Sequence, residues 1–319
     1  MAAAAATPQD GFPKHFDGRH FLNPDGQRPG GWFDFFRWKL TSRPQVSPRF
    51  ISDVEQSVPP KGFEGGALKI TMVNHATVLL QHCGVNILTD PMWSERASPV
   101  SWAGPRRRRA PGIEFENLPP IDLVLISHDH YDHLDLPTLR RLAAPRCSTF
   151  VAPAGTVRLL RSRGIGPLHM LDWGESFRAL DCAVHSVPAV HFSGRRIFGR
   201  NRSLWCGYVI ESHGRLIYFA GDTAYGNHFA RIRDRLGAPH VALLPIGAYE
   251  PRWFMSPVHM GPEEAVKVHE ILGATTSIAI HQGTFQLADD GIDTPKKELL
   301  AIAPPSFIVL NNGESISIA

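Results

Sequence analysis

Ser127-His128-Asp129-His130-Tyr131-Asp132-His133 is the stretch on which the reading of this chain turns. It runs directly out of residues 122–126, Asp-Leu-Val-Leu-Ile, which are apolar after the first position and read as a buried strand. His128 and His130 are two apart, so in an extended chain both imidazoles point the same way and can reach one metal. Asp132 and His133 turn toward a helix expected over residues 136–144 and can reach a second metal beside the first. Asp135 is placed to cap that helix, and Pro137 fits its first turn. Three histidines and two aspartates in six residues make a poor core, because each would need a buried partner.

Three further candidates share one local design. His191 lies just past an apolar strand at 182–187. Asp222 closes Phe219-Ala-Gly-Asp-Thr223 after a strand at 216–220. His281 follows a strand at 277–280, in Ala279-Ile-His-Gln-Gly-Thr-Phe285. A lone histidine after a strand is as often structural as functional. The common placement, on loops held by rigid strands, speaks for all three together.

Outward from these points, strands are expected at 68–73, 77–81, 85–88, 148–151, 204–210, 241–244 and 306–310, with helices at 227–236 and 262–272. Two runs of strands, each followed by helices, predict two packed sheets with helices outside. Residues 1–31 read as an extended or partly disordered arm and residues 32–319 as one domain. With 319 residues, 43% of them hydrophobic, the chain can bury a core of that size. Within the arginine run Arg106–Arg109 a solvated loop is the favoured reading, and a basic rim for phosphate head groups the other. The aromatic segment at 32–40 reads first as packing on the sandwich, with Trp32, Phe35 and Phe36 on one helical face. Docking to acyl chains is the alternative.

The set His128-x-His130-x-Asp132-His133, then His191, Gly-Asp222 and His281, resembles the metallo-β-lactamase fold superfamily. A narrower resemblance, from about residue 32 to just past residue 281, is to N-acyl-phosphatidylethanolamine-hydrolysing phospholipase D and its bacterial relatives. It rests on His75-Ala-Thr-Val78, Thr89-Asp-Pro-Met92, Arg96-Ala-Ser-Pro99, Gly104-Pro105, Phe219-Ala-Gly-Asp-Thr223, Tyr249-Glu-Pro-Arg-Trp-Phe-Met255 and Pro262-Glu-Glu-Ala-Val266. His281-Gln-Gly stands where that family is expected to have His-Trp-Gly.

The resemblance implies a four-layer αββα sandwich with two zinc ions. His128, His130 and His191 would hold the first, Asp132, His133 and His281 the second, and Asp222 would bridge them. A nitrogen and carboxylate donor set suits zinc and also admits iron or manganese. Two ions roughly 3.5–4 Å apart can share a hydroxide that attacks phosphorus in line. Asp132 and Asp222 would keep it positioned, and Asp129 would orient a ligand histidine from behind. His259, just before a helix, reads equally as a capping residue or as a group that binds substrate or assists the leaving alcohol.

A net charge of +3 calls for no nucleic-acid partner and leaves an anionic substrate open. Cys83, Cys147, Cys182 and Cys206 lack ligand spacing and read as free thiols. No leader or membrane span is read, so the expected place is the cytoplasm, with contact at a membrane surface. The leading expectation is a zinc phosphodiesterase of phospholipase D type acting on phospholipids or related phosphodiesters. An acyl hydrolase, cleaving a lactone or β-lactam at the same site, is the first rival. A metal-holding scaffold without turnover is the second, though it has no need of an open two-metal site. Redox use normally requires a glutamate in the histidine motif and a flavin domain, and neither is read here.

Overall fold

Leu123, Val124 and Leu125 send their side chains alternately to two different cores, and the whole architecture follows from that alternation. The computed structural model describes residues 14–143, 148–195 and 199–319. The first half supplies β1 (Leu68–Asn74), β2 (Thr77–His82), β3 (Val85–Thr89), β4 (Leu123–Leu125), β5 (Thr149–Pro153) and β6 (Leu168–Leu171). The second supplies β7 (Ser176–Ala179), β8 (Cys182–Val187), β9 (Gly207–Ser212), β10 (Arg215–Phe219), β11 (Val241–Pro245), β12 (Thr276–Ile280), β13 (Phe307–Ile308) and β14 (Ser315–Ile318). They form two seven-stranded sheets, ordered β14-β1-β2-β3-β4-β5-β6 and β13-β12-β11-β10-β9-β8-β7.

The helices are α1 (Trp32–Thr41), α2 (Leu136–Ala143), α3 (Thr156–Ser162), α4 (His228–Leu236), α5 (Arg252–Met255), α6 (Pro262–Leu272) and α7 (Thr294–Ile302). Between the sheets pack Ile70, Leu80, Leu123, Leu125, Ile217, Phe219, Leu243 and Ile278. Their neighbours in sequence face outward. Val124 and Phe150 meet Leu139 and Leu142 of α2 and Leu160 of α3. Tyr218, Ala242 and Ala279 meet Phe229 of α4, Val268 of α6 and Leu299 of α7. Strands β4, β11 and β12 are therefore covered on both faces, as parallel strands require. This is the expected αββα sandwich. No helix among the described residues is long and apolar enough to cross a membrane.

Several local expectations change. The segment expected as strand from 204 enters the ladder only at Gly207. Before it, Leu204 N–H donates to Ala154 O and Cys206 N–H to Ser127 O, so the chain bridges to the loops of the other sheet. The Asp135 carboxylate accepts from Trp93 N, Ser94 N, Ser94 Oγ and Thr138 Oγ1, anchoring the 93–94 loop rather than serving only as a cap. The arginine run is solvated only in part, with Arg106 exposed. Arg107 is buried and donates to the carbonyls of Met92 and Ser94. Arg109 pairs with Asp53 and Asp293, and Arg106 with Glu95. Helix α1 packs through Phe35 and Trp38 onto Phe254, Met255 and Ala288, while Trp32, Phe33, Phe36 and Leu40 stay exposed. Cys83, Cys182 and Cys206 are free thiols, and Cys147 lies outside the described residues.

Close backbone packing at the strand ends is a testable consequence. A Cβ on Gly247, just past β11, would lie 2.1 Å from the His281 carbonyl oxygen. Gly84, in the β2–β3 turn, has φ of +82° but open space around it. Gly84→Ala should cost about 1 kcal/mol through backbone strain alone. Gly247→Ala should cost about 1–3 kcal/mol more, because the loop bearing His281 must move. Urea midpoints of the two variants check this; equal losses would contradict the packing account.

Candidate metal centre

Each of the seven expected metal-type residues leaves the end of a strand on one edge of the sandwich. On the first sheet the chain runs from β4 into residues 127–133, and from β3 into Asp90. On the second, β8 leads to His191, β10 to Asp222 and β12 to His281. Asp90 and His281 hold φ of +32° and +58°, as does His75 with +47° in the turn between β1 and β2. Non-glycine residues in this left-handed region cost about 1–3 kcal/mol each and persist where the surroundings fix them.

Among the described residues the donor atoms fall into four overlapping groups, within each of which they lie within 4.8 Å of one another. His128, His130 and His191 form one, Asp132, His133 and His281 together with His75 a second, Asp90, His128 and His133 a third, and His191, Asp222 and His259 a fourth. Asp222 sits between the first two. Its Oδ2 is 3.1 Å from His133 Nε2 and His281 Nε2, 3.7 Å from His191 Nε2 and 3.9 Å from His128 Nε2. All seven residues expected from the sequence are thus brought together. His259 joins at the rim, its Nδ1 4.0 Å from Asp222 Oδ2.

The outer hydrogen bonds decide which ring nitrogen faces inward. His191 Nδ1 meets the Val258 carbonyl at 2.9 Å, so Nδ1 carries the proton and the Nε2 lone pair points to the centre. Ser127 Oγ donates to Asp90 Oδ2 at 2.6 Å and so accepts from His128 Nδ1 at 2.9 Å, which turns the His128 Nε2 lone pair inward. His133 Nδ1 donates to the same Asp90 oxygen at 2.7 Å. Asp90 thus orients two rings at once, the role expected of Asp129. The Asp129 carboxylate instead accepts from Gly194 N–H, on the far side of the motif.

Electrostatics support a cation between these groups. Burial lowers the imidazoles of His130, to about 4, and of His191 and His259, to about 3, so these rings are neutral. Burial also acts on His133 and His281. There the Asp222 charge overrides it, holding His133 well above its usual value and His281 at about 9. Burial would raise Asp132 and Asp222, yet the charge of His133 beside them holds both carboxyls well below their usual range. The buried carboxylates are compensated by ring protons, at the place where a metal would supply the same positive charge. His133 Nε2, His281 Nε2 and Asp222 Oδ1 are buried without an aligned hydrogen-bond partner, as inward-facing ligand atoms are. The residues therefore fit a pair of metal ions held by nitrogen and carboxylate, with no thiolate.

Sequence reasoning missed three residues that support the centre. Asp90 precedes the motif by 37 positions and reads as a loop residue. His75, like Asp90, stands in the sequence only as part of a motif that carries the family resemblance. Asn23, from the segment expected to be an unstructured arm, grips His191. Its Oδ1 accepts from His191 N–H and its Nδ2 donates to the His191 carbonyl, both at 2.9 Å. A side-chain amide clamping a backbone from 168 residues away leaves no local signal.

The chain matches the beta-lactamase superfamily domain over residues 85–282. It is 41% identical over 229 residues to N-acyl-phosphatidylethanolamine-hydrolyzing phospholipase D 1 of Caenorhabditis elegans, which covers 68% of this chain and 64% of the worm protein. The match thus spans just under two thirds of that relative's length. An uncharacterised protein of Mycobacterium tuberculosis is 36% identical over 97% of this chain and 84% of its own. Among solved structures, an isothiocyanate hydrolase from Delia radicum gut bacteria superposes with a TM-score of 0.65 at 22% identity, covering 79% of this chain and 99% of that one. The chain therefore belongs to the beta-lactamase superfamily domain family and has the metallo-β-lactamase fold.

Proposed function

We propose that this protein is a metal-dependent hydrolase that holds two zinc ions and cleaves phosphodiesters in the manner of a phospholipase D, with N-acyl phospholipids or related diesters as substrates. The observation that carries the reading is the convergence of two donor groups on one buried oxygen, Asp222 Oδ2. His128, His130 and His191 would hold one ion, Asp132, His133 and His281 the other, and Asp222 both. When bound, such ions supply Lewis acidity toward a phosphate and activation of water.

The chain's own residues do the rest. Asp90, Ser127 and the Val258 carbonyl keep ring lone pairs aimed inward. Asp132 and Asp222 stay ionised and keep their oxygens toward the reacting centre. The His259 Nδ1 has no hydrogen-bond partner and the ring lies at the rim, where it can bind substrate or assist the departing alcohol.

Substrate class is supported by the similarity to the worm phospholipase and by the surface beside the centre. The Asp290 carboxylate accepts backbone N–H groups of Ala248, Tyr249 and Glu250, fixing the loop that leads into α5. Against α5 packs α1, with Arg37 over the Trp253 ring and four large apolar side chains turned to solvent. We assign this exposed face of α1 to peripheral contact with a lipid surface.

Protein purified without added metal should contain about two ions per chain and lose activity on chelation; less than one ion with activity intact after EDTA would sink the reading. Asp222→Ala should lower turnover by several orders of magnitude while leaving the circular dichroism spectrum unchanged. Near-normal turnover with both ions still bound would remove Asp222 from its place. Finally, one metal-loaded preparation should hydrolyse an N-acyl phospholipid or a bis-arylphosphate with higher kcat/KM than a lactone. If the lactone is the best substrate, the acyl-hydrolase reading replaces this one.

A further inference from the structure

His75 has no place in the proposed ligand sets, yet it touches the second group from two directions. Its ring is buried, with Nε2 3.1 Å from Asp132 Oδ2. The same oxygen lies 3.3 Å from His133 Nε2 and 3.4 Å from His281 Nε2. The His75 backbone grips the loop after β12. Its carbonyl accepts His281 N–H at 2.8 Å, and its own N–H donates to Thr284 Oγ1 at 3.0 Å. One residue in the β1–β2 turn of the first sheet thus ties Asp132, on its own sheet, to His281, on the other.

The chemistry of the ring fits holding rather than ligating. A nitrogen that faces a carboxylate oxygen carries the proton, so Nε2–H donates to Asp132. The remaining lone pair, on Nδ1, is buried without a protein partner. An imidazole N–H orients a ligand carboxylate, whereas a lysine or arginine there would compete with the metal for the oxygen.

We propose that His75 is a positioning residue for the second metal: its ring aims Asp132 through Nε2–H, and its backbone fixes His281. The inference rests on the two-metal reading above, so the test must separate the two. Full-length protein, freed of metal, is titrated with cobalt(II) alone, and each equivalent is followed by its visible absorption. Wild type should take up two equivalents; fewer than one overturns the two-metal reading itself and this inference with it.

With wild type binding two, His75→Leu should keep the first equivalent and weaken the second about 10–100-fold. His75→Gln, whose amide N–H reaches the same oxygen as the imidazole Nε2–H, should stay within a few-fold of wild type. Both variants bear the same left-handed backbone strain, so the comparison between them isolates the donor, and thermal unfolding of each confirms a folded chain. Unchanged binding by His75→Leu would mean that the ring only packs. Equal loss in both variants would mean that the ring coordinates the ion itself. Either result overturns the proposal.

Discussion

Asp222 is a carboxylate almost wholly removed from water, with five ring nitrogens within 4.0 Å of one of its oxygens. An isolated charge in such a place costs many kcal/mol, so the surroundings must be built around it. The fold does this by ending strands from both sheets on one edge. The strands are rigid because their alternate residues fill the core between the sheets and the cores beneath the helices. That rigidity holds His75, Asp90 and His281 in left-handed backbone conformations that a loop alone would not keep. Asp90, Ser127 and the Val258 carbonyl then set the rotation of the His128, His133 and His191 rings, and Asn23 holds the His191 backbone.

What was legible in the sequence was whatever repeats with a short period or clusters within a few residues. The apolar runs that become β1–β5 and β8–β12 stand out because both faces are buried, and the histidine motif stands out because six polar residues follow one of them. The edge strands β7 and β14 carry exposed polar residues at every other position, and the four-residue β6 exposes His169 and Met170, so their runs look like loops. Helices α3 and α7 are short or open with proline near a turn, and the pattern there was too brief to register. The inner donors were found because each follows a strong strand. Their supports were not, because Asp90, His75 and Asn23 act across 37 to 209 positions through a few hydrogen bonds each. The arginine run misled for a related reason. Charge at 106–109 suggests solvent, but Arg107 and Arg109 spend theirs on carbonyls and carboxylates of distant loops.

The aromatic segment shows both readings of an amphipathic helix in one element. Phe35 and Trp38, three apart, close against Phe254, Met255 and Ala288, while Trp32, Phe33, Phe36 and Leu40 face outward. The same loop system that Asp290 anchors carries α5 to this helix and His259 to the metal-type cluster. An exposed apolar surface and the metal-type cluster are thereby joined through one loop system. The sandwich itself does not choose between phosphorus and carbonyl chemistry; the donors, the rim histidine and the surface beside them do.

The central claim is that two donor groups sharing Asp222 each hold one ion. Anomalous diffraction from crystals of the zinc-loaded protein tests it most directly. The account predicts two peaks, one within ligand distance of His128, His130 and His191, the other within ligand distance of Asp132, His133 and His281, with Asp222 reaching both. A single peak, or a peak held by Asp90, His128 and His133, would contradict the account.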